Sequence, residues 1–135
     1  MTLLEIHIVA ASAWLGLVGG ETVMELHARG PSAQRLIARM HKWIDILFEG
    51  PLVATVLVTG SVLLWRVWPP SPLLVVKIAA AMVAVIANFI CIPLVQARAK
   101  AQSDEALRTL TRKIGATGVA IPFGLAALAI ALFGV

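Results

Sequence analysis

The chain has 135 residues, of which 60% are hydrophobic and only 13% charged, and its mean hydropathy is +0.94. That balance excludes an ordinary soluble domain, in which charged residues make up about a quarter, and it reads as an integral membrane protein. The formal net charge of +4 fits membrane topology and anionic headgroups rather than nucleic acid.

A helix needs roughly 20 apolar residues to cross about 30 Å of hydrocarbon. Four stretches qualify, at about 2–26, 44–68, 73–97 and 114–135. They predict a single all-α domain over 1–135, an integral membrane four-helix bundle. The runs are too long, too rich in Ala and Leu, and too free of period-two alternation for the strands of a membrane barrel. The first run lacks a positively charged start and holds Glu5 and His7, so it is expected to stay as a span rather than be cleaved as a signal peptide. Cys91, the single cysteine, reads as a small buried apolar residue.

Nine of the 11 Lys and Arg fall between spans one and two (Arg29, Arg35, Arg39, Lys42) or between spans three and four (Arg98, Lys100, Arg108, Arg112, Lys113). The positive-inside rule makes that side cytoplasmic. Both termini and the turn "WRVWPPSP" (Trp65–Pro72) are then expected on the outer, periplasmic side of a bacterial inner membrane. Between spans one and two, "PSAQRLIARMHKWIDIL" (Pro31–Leu47) puts Leu36, Ile37, Met40, Trp43, Ile44 and Leu47 on one helical face and Arg35, Arg39 and Lys42 off it, an amphipathic helix that follows a Gly30-Pro31 break and runs into span two. Ser103 or Asp104 is placed to cap a new helix before span four. Gly16-x3-Gly20, Thr55-x3-Thr59 and Ala80-x3-Ala84 permit close helix contacts and are compatible with a homo-oligomer without requiring one. Pro51, Pro93 and Pro122 can kink their helices, and Asn88 is polar enough to bridge two.

A charge at mid-bilayer costs roughly 2.5–3.5 kcal/mol even on lenient scales, so each needs a partner or a task. His7, Arg66 and Lys77 are expected at one depth near the outer leaflet, from three different helices. A neutral imidazole there is a good metal ligand, and two cations beside it suit a dianionic ligand such as the propionates of haem. The plainer alternative is that Arg66 and Lys77 snorkel to headgroups and His7 pairs with Glu5 or a backbone carbonyl. Trp14 follows His7 by seven residues, about 20° around the helix, and Glu21 and Glu25 continue that face. Near the inner leaflet, His41, Asp45 and Glu49 recur every four residues and form one ridge. With His27, Glu21 and Glu25 nearby, they could bind a divalent metal or relay protons; pairing with the local arginines and lysines is the simpler reading.

"HIVAASAWLGLVGGETVMELHAR" (His7–Arg29) followed by "RLIARMHKWIDILFEGPLVATVLVTGSVLLW" (Arg35–Trp65) resembles the HemJ-type protoporphyrinogen oxidases and the wider group of CopD-like membrane proteins. The matching positions are His7, Trp14, Gly16, His27, Met40 to Trp43, Pro51 and Gly60, with Lys77 opening span three and Pro122 in span four. The resemblance implies a four-helix bundle binding haem b, with His7 as axial ligand and Lys77 as an essential basic residue. Met24, Met40 and Lys77 stand as alternatives for a sixth ligand.

The leading expectation is a haem b redox protein of the inner membrane that oxidises a porphyrinogen or similar donor and passes electrons to an acceptor such as quinone. His7, Trp14, Arg66 and Lys77 would hold the cofactor, and Lys77, Glu21 and Glu25 would serve catalysis, the two glutamates handling coupled protons. The alternative is a CopD-like copper-handling or transport protein using His7, His27, His41, Asp45 and Glu49. A four-span proton-coupled drug exporter ranks last, because an antiparallel dimer needs balanced loop charges and this chain places nine of 11 positives on one side.

Overall fold

Thr2 opens the first helix, α1 (Leu3–His27), with a capping box: the Thr2 hydroxyl accepts from the Glu5 N–H, and the Glu5 carboxylate accepts from the Thr2 N–H. Glu5 is therefore a cap, and His7 is left to find another partner. The computed structural model describes residues 1–133; Gly134 and Val135, the last two of the expected fourth span, lie outside the described residues. Gly30, at φ +88°, takes the left-handed turn that breaks α1 from α2 (Pro31–Ile44), and Pro31 starts α2 where its missing N–H costs nothing.

α2 does not stop at the membrane entry. One π-helical turn, Asp45–Glu49, joins it to α3 (Gly50–Arg66), giving a 36-residue helix from Pro31 to Arg66. At about 1.5 Å per residue that helix is about 54 Å long, well beyond about 30 Å of hydrocarbon. The second span thus begins inside an existing helix, the amphipathic stretch running straight into it as its sequence implied. The Gly50 N–H bonds back to the Asp45 carbonyl, the wider π spacing, directly ahead of Pro51. Pro51 has no N–H to give to the normal ladder, and the widened turn is one way a helix absorbs that loss.

Ser71 caps α4 (Pro72–Ala99), its hydroxyl accepting from the Leu74 N–H at 3.3 Å. Ser103 caps α5 (Asp104–Thr117) in the same way through Ala106, with Asp104 and Glu105 favourably placed in its first turn. A turn at Gly118 leads to α6 (Ala120–Phe133). Four helical stretches, Leu3–His27, Pro31–Arg66, Pro72–Ala99 and Asp104–Phe133, are long and apolar enough to cross a membrane, so the chain is a multi-pass membrane protein. The fourth begins ten residues before the apolar run at 114, because α5 is a separate, more polar helix leading into it.

The bundle packs α1 against α3 and α6, and α4 against α2, α5 and α6. Its apolar centre is Trp14, Val53, Ala84, Val85, Ala87 and Ala120. Large apolar side chains such as Leu4, Val9, Val58, Ile86, Phe89 and Leu125 point outward, as expected of helices that face lipid tails. The same inversion explains α2: Leu36, Met40, Trp43 and Leu47 are exposed, while Ala38, His41 and Asp45 turn into the bundle. At the connections, Arg35 ties the two basic loops together, donating to the carbonyls of Ala101 (3.1 Å) and Gln102 (3.2 Å) and to the Asp104 carboxylate (3.0 Å). The two basic loops therefore share one end of the bundle.

Where α1 meets α6, a Cβ on Gly124 would run into the Leu15 side chain, whereas among the described residues nothing approaches within 4 Å of a Cβ on Gly16 or Gly20. Gly124→Val is expected to destabilise the bundle by about 1–3 kcal/mol through overpacking, and Gly16→Ala to leave stability unchanged or slightly raised. Thermal unfolding of the two variants in detergent measures the difference.

Candidate functional site

Seven of the 21 buried residues among those described are polar or charged: Glu21, His41, Asp45, Glu49, Thr59, Asn88 and Arg98. All but Thr59 gather at the basic end of the bundle. Glu21 and Glu25 come from α1, His41 from α2, Asp45 and Glu49 from the π turn, and Asn88 and Arg98 from α4.

Arg98 anchors this cluster. Its side chain has no exposed surface, and its guanidinium grips Glu25 with two bonds, Nη1 to Oε2 at 2.7 Å and Nη2 to Oε1. Such a fork is the geometry in which arginine binds a carboxylate most strongly. His41 Nδ1 lies 2.8 Å from the same Glu25 carboxylate. Arg98 Nη2 also lies 3.3 Å from Nδ1, but the much closer carboxylate can only accept, and in the tautomer that serves it Nδ1 carries the proton and donates. The other ring nitrogen, Nε2, then faces Glu21 Oε2 at 3.6 Å and Asp45 Oδ1 at 3.5 Å.

Glu49 is held from two sides, accepting from the Trp14 indole N–H at 2.9 Å and from the Asn88 amide. The π turn makes this meeting possible. In an uninterrupted α-helix the eight residues from His41 to Glu49 leave them about 80° apart, and the extra residue in the widened turn swings Glu49 back toward the line of His41 and Asp45. Among the described residues, Glu21 Oε1, both oxygens of Asp45, Asn88 Oδ1 and Arg98 Nε have no hydrogen-bond partner. Buried polar groups are nearly always paired, so the cluster is organised but incomplete. A cavity of about 120 Å³ adjoins it, lined by Glu21, His41, Glu49 and Cys91 among others.

The opposite end holds a second arrangement. His7 Nδ1 lies 2.8 Å from Thr59 Oγ1. The Thr59 hydroxyl has the Thr55 carbonyl at 2.6 Å and the Val56 carbonyl at 3.3 Å; with its proton on the nearer carbonyl, its oxygen accepts from His7, whose proton is then on Nδ1. That leaves Nε2 as a free lone pair. A Cβ on Gly60 would lie 3.1 Å from His7 Cε1, and the glycine is what lets α3 pass this close to the ring. His7 and Lys77 both line an apolar groove of about 430 Å³ between α1, α3 and α4, and they share a smaller cavity of about 70 Å³ with Trp14.

The structure thus brings His7 and Lys77 together. Arg66 is exposed at the end of α3, outside the groove lining. Trp14 walls the small cavity beside His7 but gives its N–H to Glu49 of the cluster at the basic end. Glu21, His41, Asp45 and Glu49 converge, with one ligand atom from each within 4.8 Å of all the others. His27 does not join them; it is exposed and bonds to the Val23 carbonyl of its own helix at 2.7 Å.

Sequence reasoning counted Arg98 only as a loop charge, and Thr59 only as a packing residue. One pattern pointed to Arg98: Asn88, Cys91, Val95 and Arg98 fall within an arc of about 80° on α4, which continues the Asn88 face to the guanidinium. No protein-family model, curated protein or solved structure matches this chain.

The Glu25 to Arg98 pair yields a stability prediction. Arg98→Met leaves a carboxylate buried without its cation and is expected to cost about 3–5 kcal/mol, with Glu25→Gln in the same chain restoring part of the loss. Asp104→Asn, which removes only the charge of a solvent-exposed pair with Arg35, should cost no more than about 1 kcal/mol. Thermal unfolding of the purified variants, side by side, reads both.

Proposed function

We infer that the chain is a haem b-binding redox protein of the bacterial inner membrane, with its basic end cytoplasmic and its termini outside. The observation that carries this reading is the His7 imidazole. Its proton is committed to Thr59 at 2.8 Å, and its Nε2 lone pair is left in a largely apolar groove of about 430 Å³, within the usual range for cofactor sites. The resemblance of His7–Arg29 and Arg35–Trp65 to HemJ-type proteins supports the choice of haem over other macrocycles.

The donor set and the space fit that group. His7 would supply the axial nitrogen, and Thr59 would hold the ring in one tautomer and orientation, the role that outer hydrogen-bond partners play for metal-bound histidines. Gly60 keeps a side chain from entering the space beside the imidazole. Lys77, on the opposing helix, would neutralise a propionate, with Arg66 available at the membrane surface for the other. The apolar lining excludes water from the redox centre. A bound haem supplies one-electron chemistry, here between a donor such as a porphyrinogen and a membrane acceptor such as quinone.

Protein purified from cells supplied with haem should show a Soret band that shifts on reduction. His7→Ala should abolish the band, and Thr59→Val should weaken haem retention by about tenfold or more while keeping the absorbing species. A colourless wild-type preparation would sink the reading.

A further inference from the structure

We propose that Glu21, His41, Asp45 and Glu49 bind one divalent first-row cation of the zinc or manganese class, at a site separate from the His7 groove. His7 and Glu21 are fourteen positions apart on α1, which is about 21 Å of helix. The inference therefore stands or falls independently of haem.

The geometry of His41 leads the argument. With Nδ1–H donated to Glu25, the Nε2 lone pair faces two carboxylate oxygens, at 3.5 and 3.6 Å. Those distances are too long for hydrogen bonds. Three electron-rich atoms facing one another repel unless a positive centre lies between them. Ligand atoms around a tetrahedral zinc, with bonds of about 2.0–2.1 Å, are about 3.4 Å apart, close to the spacing seen. Glu49 completes the set: Trp14 and Asn88 both occupy its Oε1, and Oε2 remains to bind.

The unpaired atoms point the same way. The side chains of Glu21 and Asp45 are 4% and 2% exposed, and Glu21 Oε1 and both Asp45 oxygens have no hydrogen-bond partner among the described residues. Charge adds a third argument: four acidic side chains, Glu21, Glu25, Asp45 and Glu49, gather around the one guanidinium of Arg98, which is already paired with Glu25, and a divalent ion would offset the remaining acidic excess.

Glu25 stands outside the ligand set because Arg98 and His41 use both of its oxygens. It forms instead the carboxylate-to-histidine link that orients metal-binding imidazoles and strengthens them as donors. One nitrogen and several carboxylate oxygens favour Zn²⁺, Mn²⁺ or Fe²⁺ over Cu⁺, which selects sulfur. Cys91 lines the adjoining cavity without belonging to the four. That cavity also reaches the exposed residues Leu26 and Gly115, which gives an ion a way in from the basic end.

The test is a titration of the full-length chain in detergent, stripped with chelator and then supplied with ZnCl₂ or MnCl₂, followed by equilibrium binding and by thermal unfolding. The expected result is one ion per chain and a rise in Tm on loading. Asp45→Asn and Glu21→Gln should each lose at least about tenfold in affinity and lose the rise in Tm. Each keeps the size of a side chain that has a buried oxygen without a hydrogen-bond partner among the described residues, so without metal their Tm should not fall below that of the wild type, which separates lost binding from lost folding. His7→Ala should bind the ion as the wild type does, whatever becomes of its absorption spectrum. Absence of saturable binding by the wild type, or affinity unchanged in both carboxylate variants, overturns the proposal.

Discussion

A guanidinium with no exposed surface, bonded to a single carboxylate through both nitrogens, fixes the basic end of this bundle. Arg98 on α4 holds Glu25 on α1, and Glu25 in turn holds His41 on α2. Three helices are thus drawn to one point by charge in a molecule whose remaining contacts are largely apolar and therefore weakly directional. Lipid tails are as apolar as leucine, so apolar burial alone gives membrane helices little preference for one partner over another. The Arg98 to Glu25 to His41 chain supplies that preference, and it also sets the imidazole tautomer on which the neighbouring carboxylates depend.

Much of the architecture was legible from composition and apolar run length, because crossing a bilayer imposes a length requirement that few sequences meet by accident. The start at Thr2, the break at Gly30-Pro31 and the cap at Ser103 each follow from local chemistry that needs no tertiary context. The continuity of α2 into α3 followed from the amphipathic stretch that runs into span two, and the π turn within it was less legible. A proline after a charged segment reads as a boundary or a kink, and only the backbone reveals the π turn that absorbs it. His7 and Lys77 meeting at one depth was within reach of span arithmetic. Thr59 was not, since a threonine that spends its proton on its own helix looks like any other small residue until its oxygen is found beside the histidine.

Trp14 links the two ends of the molecule. Its ring walls the small cavity beneath His7 and Lys77, and its indole N–H reaches Glu49. An indole donates and cannot accept, so it separates the two arrangements as much as it joins them: position is transmitted, and protons are not. A shift of α1 that changed the packing around His7 would be felt at the Glu49 carboxylate through one rigid side chain.

The Glu25 to Arg98 bond closes a loop of 73 residues, and that separation bears on how the chain enters a bilayer. Helices delivered to the membrane in order would bring α1 in first, with Glu25 unneutralised, while the guanidinium that pairs with it is still two spans from synthesis. The early hairpin must therefore linger near the headgroups, or be sheltered by the insertion apparatus, until α4 arrives. Biogenesis of this bundle is then a concerted event gated by its third span, and a truncation that ends before Arg98 should be cleared by quality control rather than accumulate.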